Sequence, residues 1–208
     1  MNSKGRKLAV VCSFSILLMS FQCDKEDIAN LIYPKTKITI SEGAVFTTKD
    51  TLWIKGVATT MLYDVDTQDS IPNTNESLQE VISILRLRPA ERTSNSTDAV
   101  KDFELVARIG TIDFLGACPE ADIIPNGPRT ANGTSYRYEI GLVPKSSGDF
   151  TLNWNTGAVF NNRSINLEIL EKYPINGDNK KLGLTKCGIT STLLEVDNSK
   201  SAYFFRVE

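Results

Sequence analysis

The chain has 208 residues, with 23 basic and 25 acidic side chains, a formal net charge of −2 and no histidine. The missing histidine excludes Ser-His-Asp and Cys-His catalysis, histidine general acid–base chemistry and histidine-bearing zinc sites. The balanced charge argues against nucleic-acid binding, which requires a clustered basic surface.

Residues 1–22 have the parts of a secretory signal. Lys4, Arg6 and Lys7 give a basic start, and the apolar run that follows is about 14 residues, shorter than the roughly 20 that span a bilayer. These 22 residues hold three of the 23 basic and none of the 25 acidic side chains, which leaves 20 against 25, a net charge of −5. The alternatives to a lipoprotein signal are a plain cleaved signal and an N-terminal anchor helix.

The end of this run carries a resemblance. Leu18-Met19-Ser20-Phe21-Gln22-Cys23 resembles a bacterial lipobox, although Gln22 stands where a small residue is usual, and the acidic stretch from Asp24 to Asp27 resembles the export tract of Bacteroidetes surface lipoproteins. The resemblance implies a lipidated Cys23, attachment to the outer membrane and a domain facing the cell exterior. Two acyl chains would make a firm anchor. The predicted organisation is a signal peptide at 1–22, a lipid-anchored tether at 23–34 and a single domain at 35–208.

Of the other cysteines, Cys12 lies in the signal, and Cys118 and Cys187 remain. An exported protein favours a disulfide between them, with two free thiols as the alternative. A zinc site would need carboxylates in addition.

The first half of the domain shows short segments of β-branched and aromatic residues that predict strands. They are predicted at residues 36–40, 45–47, 51–57 and 81–87, the last buried on both faces. Residues 75–80 are predicted to form one helical turn and residues 91–98 a polar loop.

The second half continues with strands at 103–109 and 111–115, and then a long irregular connection at 116–132 that contains Cys118. Its length is unusual in a compact domain unless it is functional or covalently held. Alternation at 136–142 and 150–155 predicts two strands joined as a hairpin. A strand at 165–169, a turn at 173–178, and a terminal strand pair at 189–196 and 202–207 complete the prediction.

Residues 147–152 also resemble the late hairpin of immunoglobulin-like domains. Together the segments predict an all-β fold, an antiparallel β-sandwich of immunoglobulin-like type with about nine strands.

Four aromatic residues are candidates for ligand or glycan binding, with core packing as the alternative for each: Trp53, Trp154, Tyr136 and Tyr138. The acidic loop of Asp64, Asp66 and Asp69 lacks the pattern of an EF-hand and is interpreted as a solvated turn rather than a calcium site.

No catalytic residue, metal site or cofactor is predicted. Thr51 and Ser70 lie in triplets that resemble O-glycosylation acceptors of exported Bacteroidetes proteins.

The predicted function is therefore a lipid-anchored, non-enzymatic cell-surface protein. It would act as a binding module or as an accessory subunit of an outer-membrane assembly, with no nucleic-acid partner. The alternatives are a carbohydrate-binding lipoprotein and a carboxylate-based glycoside hydrolase, which needs two acids roughly 5 to 9 Å apart.

Overall fold

The structure is a computed structural model that describes residues 30–91, 94–155, 158–161, 169, 171–173, 181–195 and 201–208. This part of the chain is nearly all β, as the sequence predicts. Its strands are β1 Leu31–Ile32, β2 Lys37–Ile40, β3 Val45–Phe46, β4 Leu52–Thr59, β5 Met61–Asp64, β6 Asp69–Pro72, β7 Ser77–Gln79, β8 Ile82–Glu91, β9 Ser94–Asp98, β10 Phe103–Ile109, β11 Thr111–Phe114, β12 Asp122–Pro128, β13 Ser135–Pro144, β14 Gly148–Trp154, β15 Val159–Phe160, β16 Lys181–Lys186, β17 Ile189–Glu195 and β18 Ala202–Val207.

The strands form four open sheets that are mostly antiparallel. A five-stranded sheet has the order β10-β13-β4-β2-β15, and an eight-stranded sheet has the order β11-β12-β8-β14-β18-β3, with β7 and β9 paired to β12 and β8. Strands β1, β5 and β6 form a small third sheet, and β16 and β17 form a hairpin. The parallel pairs are β15 with β2 and β3 with β18.

The main core lies between the two large sheets. Alternation along the strands explains it: β13 turns Tyr138, Ile140 and Leu142 inward, and β14 and β18 contribute side chains from the other sheet. The core residues from these two strands are Phe150, Leu152, Trp154, Tyr203, Phe205 and Val207. Phe150 and Phe205 stack at 5.5 Å between centroids.

A second apolar cluster lies on the opposite face of the eight-stranded sheet. Leu85 and Leu87 of β8 and Phe204 of β18 pack there against Leu182 and Leu184 of the β16–β17 hairpin. Strand β8 is therefore buried on both faces, as its continuous apolar run predicts.

The strands predicted as a hairpin at 136–142 and 150–155 exist but do not pair with each other. Strand β13 pairs with β10 and β4, whereas β14 pairs with β8 and β18 in the other sheet. Both edges of β13 are thus occupied within its own sheet. Arg86 of β8 contacts the connection between β13 and β14. Its guanidinium donates to Asp102 Oδ2 at 3.0 Å, to the Ser147 carbonyl at 2.9 Å and to Ser146 Oγ.

The prediction that the last two strands pair with each other is also wrong, because β17 pairs with β16 while β18 lies between β14 and β3. Of the strand predicted at 165–169, only Ile169 is described. It is buried and starts a turn in which its carbonyl accepts from the Lys172 amide. Most of the turn predicted at 173–178 lies outside the described residues.

Three further segments differ from prediction. Strand β12 runs through the connection predicted to be irregular, β7 replaces the helical turn at 75–80, and β9 replaces part of the loop at 91–98. The strand count of about nine is therefore too low. The short strands β7 and β9 pair with the longer strands β12 and β8, so their own sequences need little β character.

Candidate functional site

A concave surface surrounds residues 72–79, the segment that leaves β6 and enters β7. Its backbone is fixed by one side chain: Arg129 Nη2 donates to the carbonyl oxygens of Asn73 and Asn75, the latter at 2.9 Å. The Tyr136 hydroxyl donates to the same Asn75 carbonyl at 2.6 Å, and the Arg129 amide donates to the Glu76 carbonyl at 3.2 Å. The segment is thus held in place from below through its carbonyl groups.

Arg129 is itself positioned by Tyr136. The guanidinium carbon lies 5.6 Å from the centre of the Tyr136 ring, and Nη2 is 3.2 Å from the hydroxyl oxygen. The ring is 1% exposed, so it forms the floor of the surface. This cation–π contact orders the arginine before any ligand arrives.

Three clefts of about 470, 400 and 480 Å³ meet at Glu76, which lines all of them. The first is also lined by Tyr33, Asn75 and Gln79. The Tyr33 side chain is 62% exposed. An exposed aromatic ring, two amides and a carboxylate offer a stacking face with both donors and acceptors. The surface therefore suits a polar, hydroxyl-rich ligand or a polar loop of a partner protein.

Trp53 lies elsewhere, on the outer face of the five-stranded sheet. The Arg108 guanidinium carbon is 3.5 Å from the centre of its ring, so one ring face is covered. A smaller cleft of about 260 Å³ opens beside it, lined also by Glu42 and Lys55. Trp53 is thus half-buried and takes part in an intramolecular cation–π contact.

The charge next to Trp53 centres on Glu139. Its carboxylate meets Arg108 and Arg137 at 3.2 Å each and Lys55 at 3.7 Å. Burial acts to raise the pKa of Glu139, but the hydrogen bond from Arg108 and the neighbouring positive charges hold the pKa below its usual value. Three cations around one carboxylate leave a local positive excess on this face.

Trp154 and Tyr138 belong to the main core, 1% and 0% exposed. Both rings are packed in the core, which is the alternative to ligand binding for these two residues. The Tyr138 hydroxyl donates to Glu80 Oε2 at 2.6 Å across the core. Desolvation raises the pKa of Glu80. Desolvation and the nearby charge of Glu80 both raise the pKa of Tyr138.

Cys118 and Cys187 form a disulfide with a Cα–Cα distance of 5.7 Å. It ties the connection before β12 to the tip of the β16–β17 hairpin, where Cys187 and Gly188 have φ of 48° and 75°. Both oxygens of Asp98 accept from the Cys187 amide, at 3.0 and 3.1 Å. Asp98 and the two sulfur atoms lie within 4.8 Å of one another, but paired sulfurs are not the thiolates that a metal binds.

Of the remaining candidate positions, Ser70 is exposed on β6 and Thr51 is half-buried just before β4. Their glycosylation stays a prediction. Cys23 lies outside the described residues. At the acidic turn, Asp64 Oδ1 accepts from the amides of Asp66 and Thr67, and the bond from Asp66 lowers the pKa of Asp64.

Tyr136 lines the first of the clefts around Glu76, whereas Trp53 lies beside the separate cleft on the five-stranded sheet. Sequence reasoning missed Arg129 and Glu76. Arg129 follows Pro128 in the stretch predicted to be irregular, and no periodic pattern marks either residue.

Comparison with known proteins gives no relative: no protein-family model, curated protein or solved structure matches this chain. Within the described ranges, no helix combines the length and apolarity needed to cross a bilayer.

Proposed function

We propose that this protein is a lipid-anchored, non-enzymatic cell-surface binding module or accessory subunit of an outer-membrane assembly. Cys23 carries the lipid, the tether holds the domain outside the outer membrane, and the clefts around Glu76 bind the ligand or partner. The sequence from Leu18 to Asp27 supports the anchor. The observation that carries the binding role is the 72–79 segment, fixed from below by Arg129 and surrounded by clefts.

This arrangement favours binding because the ordering of the segment does not depend on the ligand. Holding a loop in its bound conformation reduces the entropy lost on association, which would otherwise cost about 0.5–1.5 kcal/mol for each immobilised side chain. Three carbonyl groups of the segment accept bonds from Arg129, so its exposed side chains project from a fixed backbone.

A carbohydrate ligand is the second candidate. Tyr33 beside Asn75 and Gln79 provides the stacking face and the amide groups that sugars require. A glycosidase would need two carboxylates in one cleft. Each of the four clefts has one, Glu76 in three and Glu42 in the fourth.

We also propose that the two large sheets form an immunoglobulin-like β-sandwich and that residues 35–208 are a single domain. The shared core supports this, as does the passage of the chain from β13 in one sheet to β14 in the other. Such crossings between facing sheets are common in sandwiches.

The binding role is tested by pulldown from the native outer membrane in mild detergent, together with a glycan array. The variant Glu76→Ala/Gln79→Ala should lose the bound protein or glycan, while Glu104→Ala, an exposed glutamate on β10, should retain it. If both variants recover the same ligands as the unmodified protein, the proposed surface is not the binding site. For the anchor, Cys23→Ala should release the protein from the membrane fraction.

A further inference from the structure

Strands β4 and β5 form one long run with continuous alternation. Every even-numbered residue from Leu52 to Leu62 is buried, while the odd-numbered residues lie half-buried or exposed on the other side. At the β5 end the exposed residues are Met61 and Tyr63, 38% and 43% exposed. The pattern therefore carries apolar side chains onto a solvent-facing side of the small β1-β5-β6 sheet.

The neighbouring strands extend this side. In the antiparallel register Ile32 is opposite Tyr63, and Met61 is opposite Pro72, so the four residues share one face. Ile32 is 54% exposed. We call these four residues the apolar face. Ser70, opposite Tyr63, lies on the same face, and an exposed apolar cluster of this kind favours an interaction site.

The short length of chain before this sheet limits how far the apolar face can lie from a lipidated Cys23. The Val65 amide donates to the Asn30 carbonyl at 3.0 Å, which fixes Asn30 at the end of β5. Asn30 lies seven positions after Cys23, and seven extended residues reach at most about 25 Å. If Cys23 is inserted in the membrane, the apolar face cannot be far from the lipid surface.

The composition of the face fits lipid better than a protein partner. Tyrosine favours the boundary between headgroups and hydrocarbon. Four side chains are far fewer than the roughly 20–30 residues on each side of a stable protein interface. A small contact suffices when an acyl chain already holds the domain at the surface, because the effective concentration is then high.

We propose that the apolar face of the β1-β5-β6 sheet rests on the lipid headgroups when Cys23 is acylated. This inference depends on the lipid anchor of the proposed function. Asp64, Asp66 and Asp69 flank the face, so it suits a zwitterionic rather than an anionic surface.

The test uses acylated protein in phosphatidylcholine vesicles with a fluorophore on Met61→Cys. The matched control is Phe114→Cys, at a 50% exposed apolar position of β11 in the eight-stranded sheet. In mature acylated protein the introduced thiol is the reactive one, since Cys118 and Cys187 are paired. Thermal unfolding of both labelled proteins checks that they fold.

We expect nitroxide lipids to quench the label at position 61 by roughly twofold or more over the label at 114, and aqueous iodide to quench it less. Equal quenching at both positions in vesicle-bound protein would overturn the inference and leave the anchor intact. Protection of position 61 that grows with protein density on the vesicle would overturn it in favour of a second copy. Failure of the mature protein to carry lipid would instead refute the proposed function and this inference with it.

Discussion

Removal of the disulfide should destabilise the protein by an amount that depends on the number of residues between the two cysteines. Cys118 and Cys187 are 69 residues apart, and closing a loop of that size reduces the entropy of the unfolded chain by about 4 kcal/mol at 25 °C. For a domain of this size, Cys118→Ser/Cys187→Ser should lower the melting temperature by roughly 10 °C.

The structure also predicts where the effect is greatest. Without the disulfide, the β16–β17 hairpin keeps the packing of Leu182 and Leu184, the bond from the Thr185 amide to Ser96 Oγ at 2.8 Å, and the ion pair of Lys186 with the buried Asp122 at 2.9 Å. These contacts are few beside the main core. Hydrogen exchange should therefore speed up most in residues 181–195, and in β13 and β14 only as far as the global stability falls.

Two measurements check this prediction. Chemical denaturation gives the change in the free energy of unfolding, and mass-spectrometric hydrogen exchange gives its location. Unmodified protein treated with a reductant is the control and should behave as the double variant does. A destabilisation below about 1 kcal/mol, or exchange that is unchanged in the hairpin, would contradict the loop-closure account.

Three further predictions concern the core and the connection between the sheets. Gly56→Ala should cost about 2 kcal/mol in urea denaturation, because its Cβ would lie 2.2 Å from the Tyr138 ring, whereas Gly116→Ala, with open space around it, should be neutral. Arg86→Lys should cost about 2 kcal/mol despite the retained charge, because the planar fork that reaches three partners is lost; full stability of the variant would contradict this role. Burial raises the pKa of Glu80, so its protonated form stabilises the fold below the unfolded pKa, and this contribution is lost as pH rises through the folded pKa. Relative to Glu80→Gln, the unmodified protein should therefore lose stability from pH 4 to pH 7, and a pH-independent difference would refute this.

Alternation predicts the strands well wherever one face is buried. Every second residue from Tyr136 to Leu142 and from Phe150 to Trp154 is buried, as the alternation indicates, since a period of two matches the pleat. The same rule places Leu52 and Ile54 in the core. Burial is a local property of a strand, so local sequence encodes it.

Pairing could not be predicted in the same way, because it depends on contacts far apart in sequence. The hairpin expected at 144–149 is replaced by a crossing that Arg86 holds from 60 residues away. Strand β12 contains Pro125, which argues against a central strand. Pro125 is tolerated because β12 pairs with β8 through Ile123 and with β7 from Asn126 onward, so the proline lies where one partner gives way to the other.

The candidate site was only partly visible in the sequence. Tyr136 was selected as an aromatic residue in an alternating strand, and it lines the first cleft beside Glu76. Arg129 and Glu76 come together with it only through the fold, since the bonds of Arg129 to Asn73 and Asn75 span more than 50 residues. A single arginine in a connection gives no sequence signal of such a role.

The central claim, a lipid anchor at Cys23, is tested most directly by the intact mass of the mature protein extracted from its native membrane. The account predicts a chain of residues 23–208 whose N-terminal Cys23 carries the mass of two or three acyl chains. A mature protein without acyl groups, or one that retains residues 1–22, would contradict it.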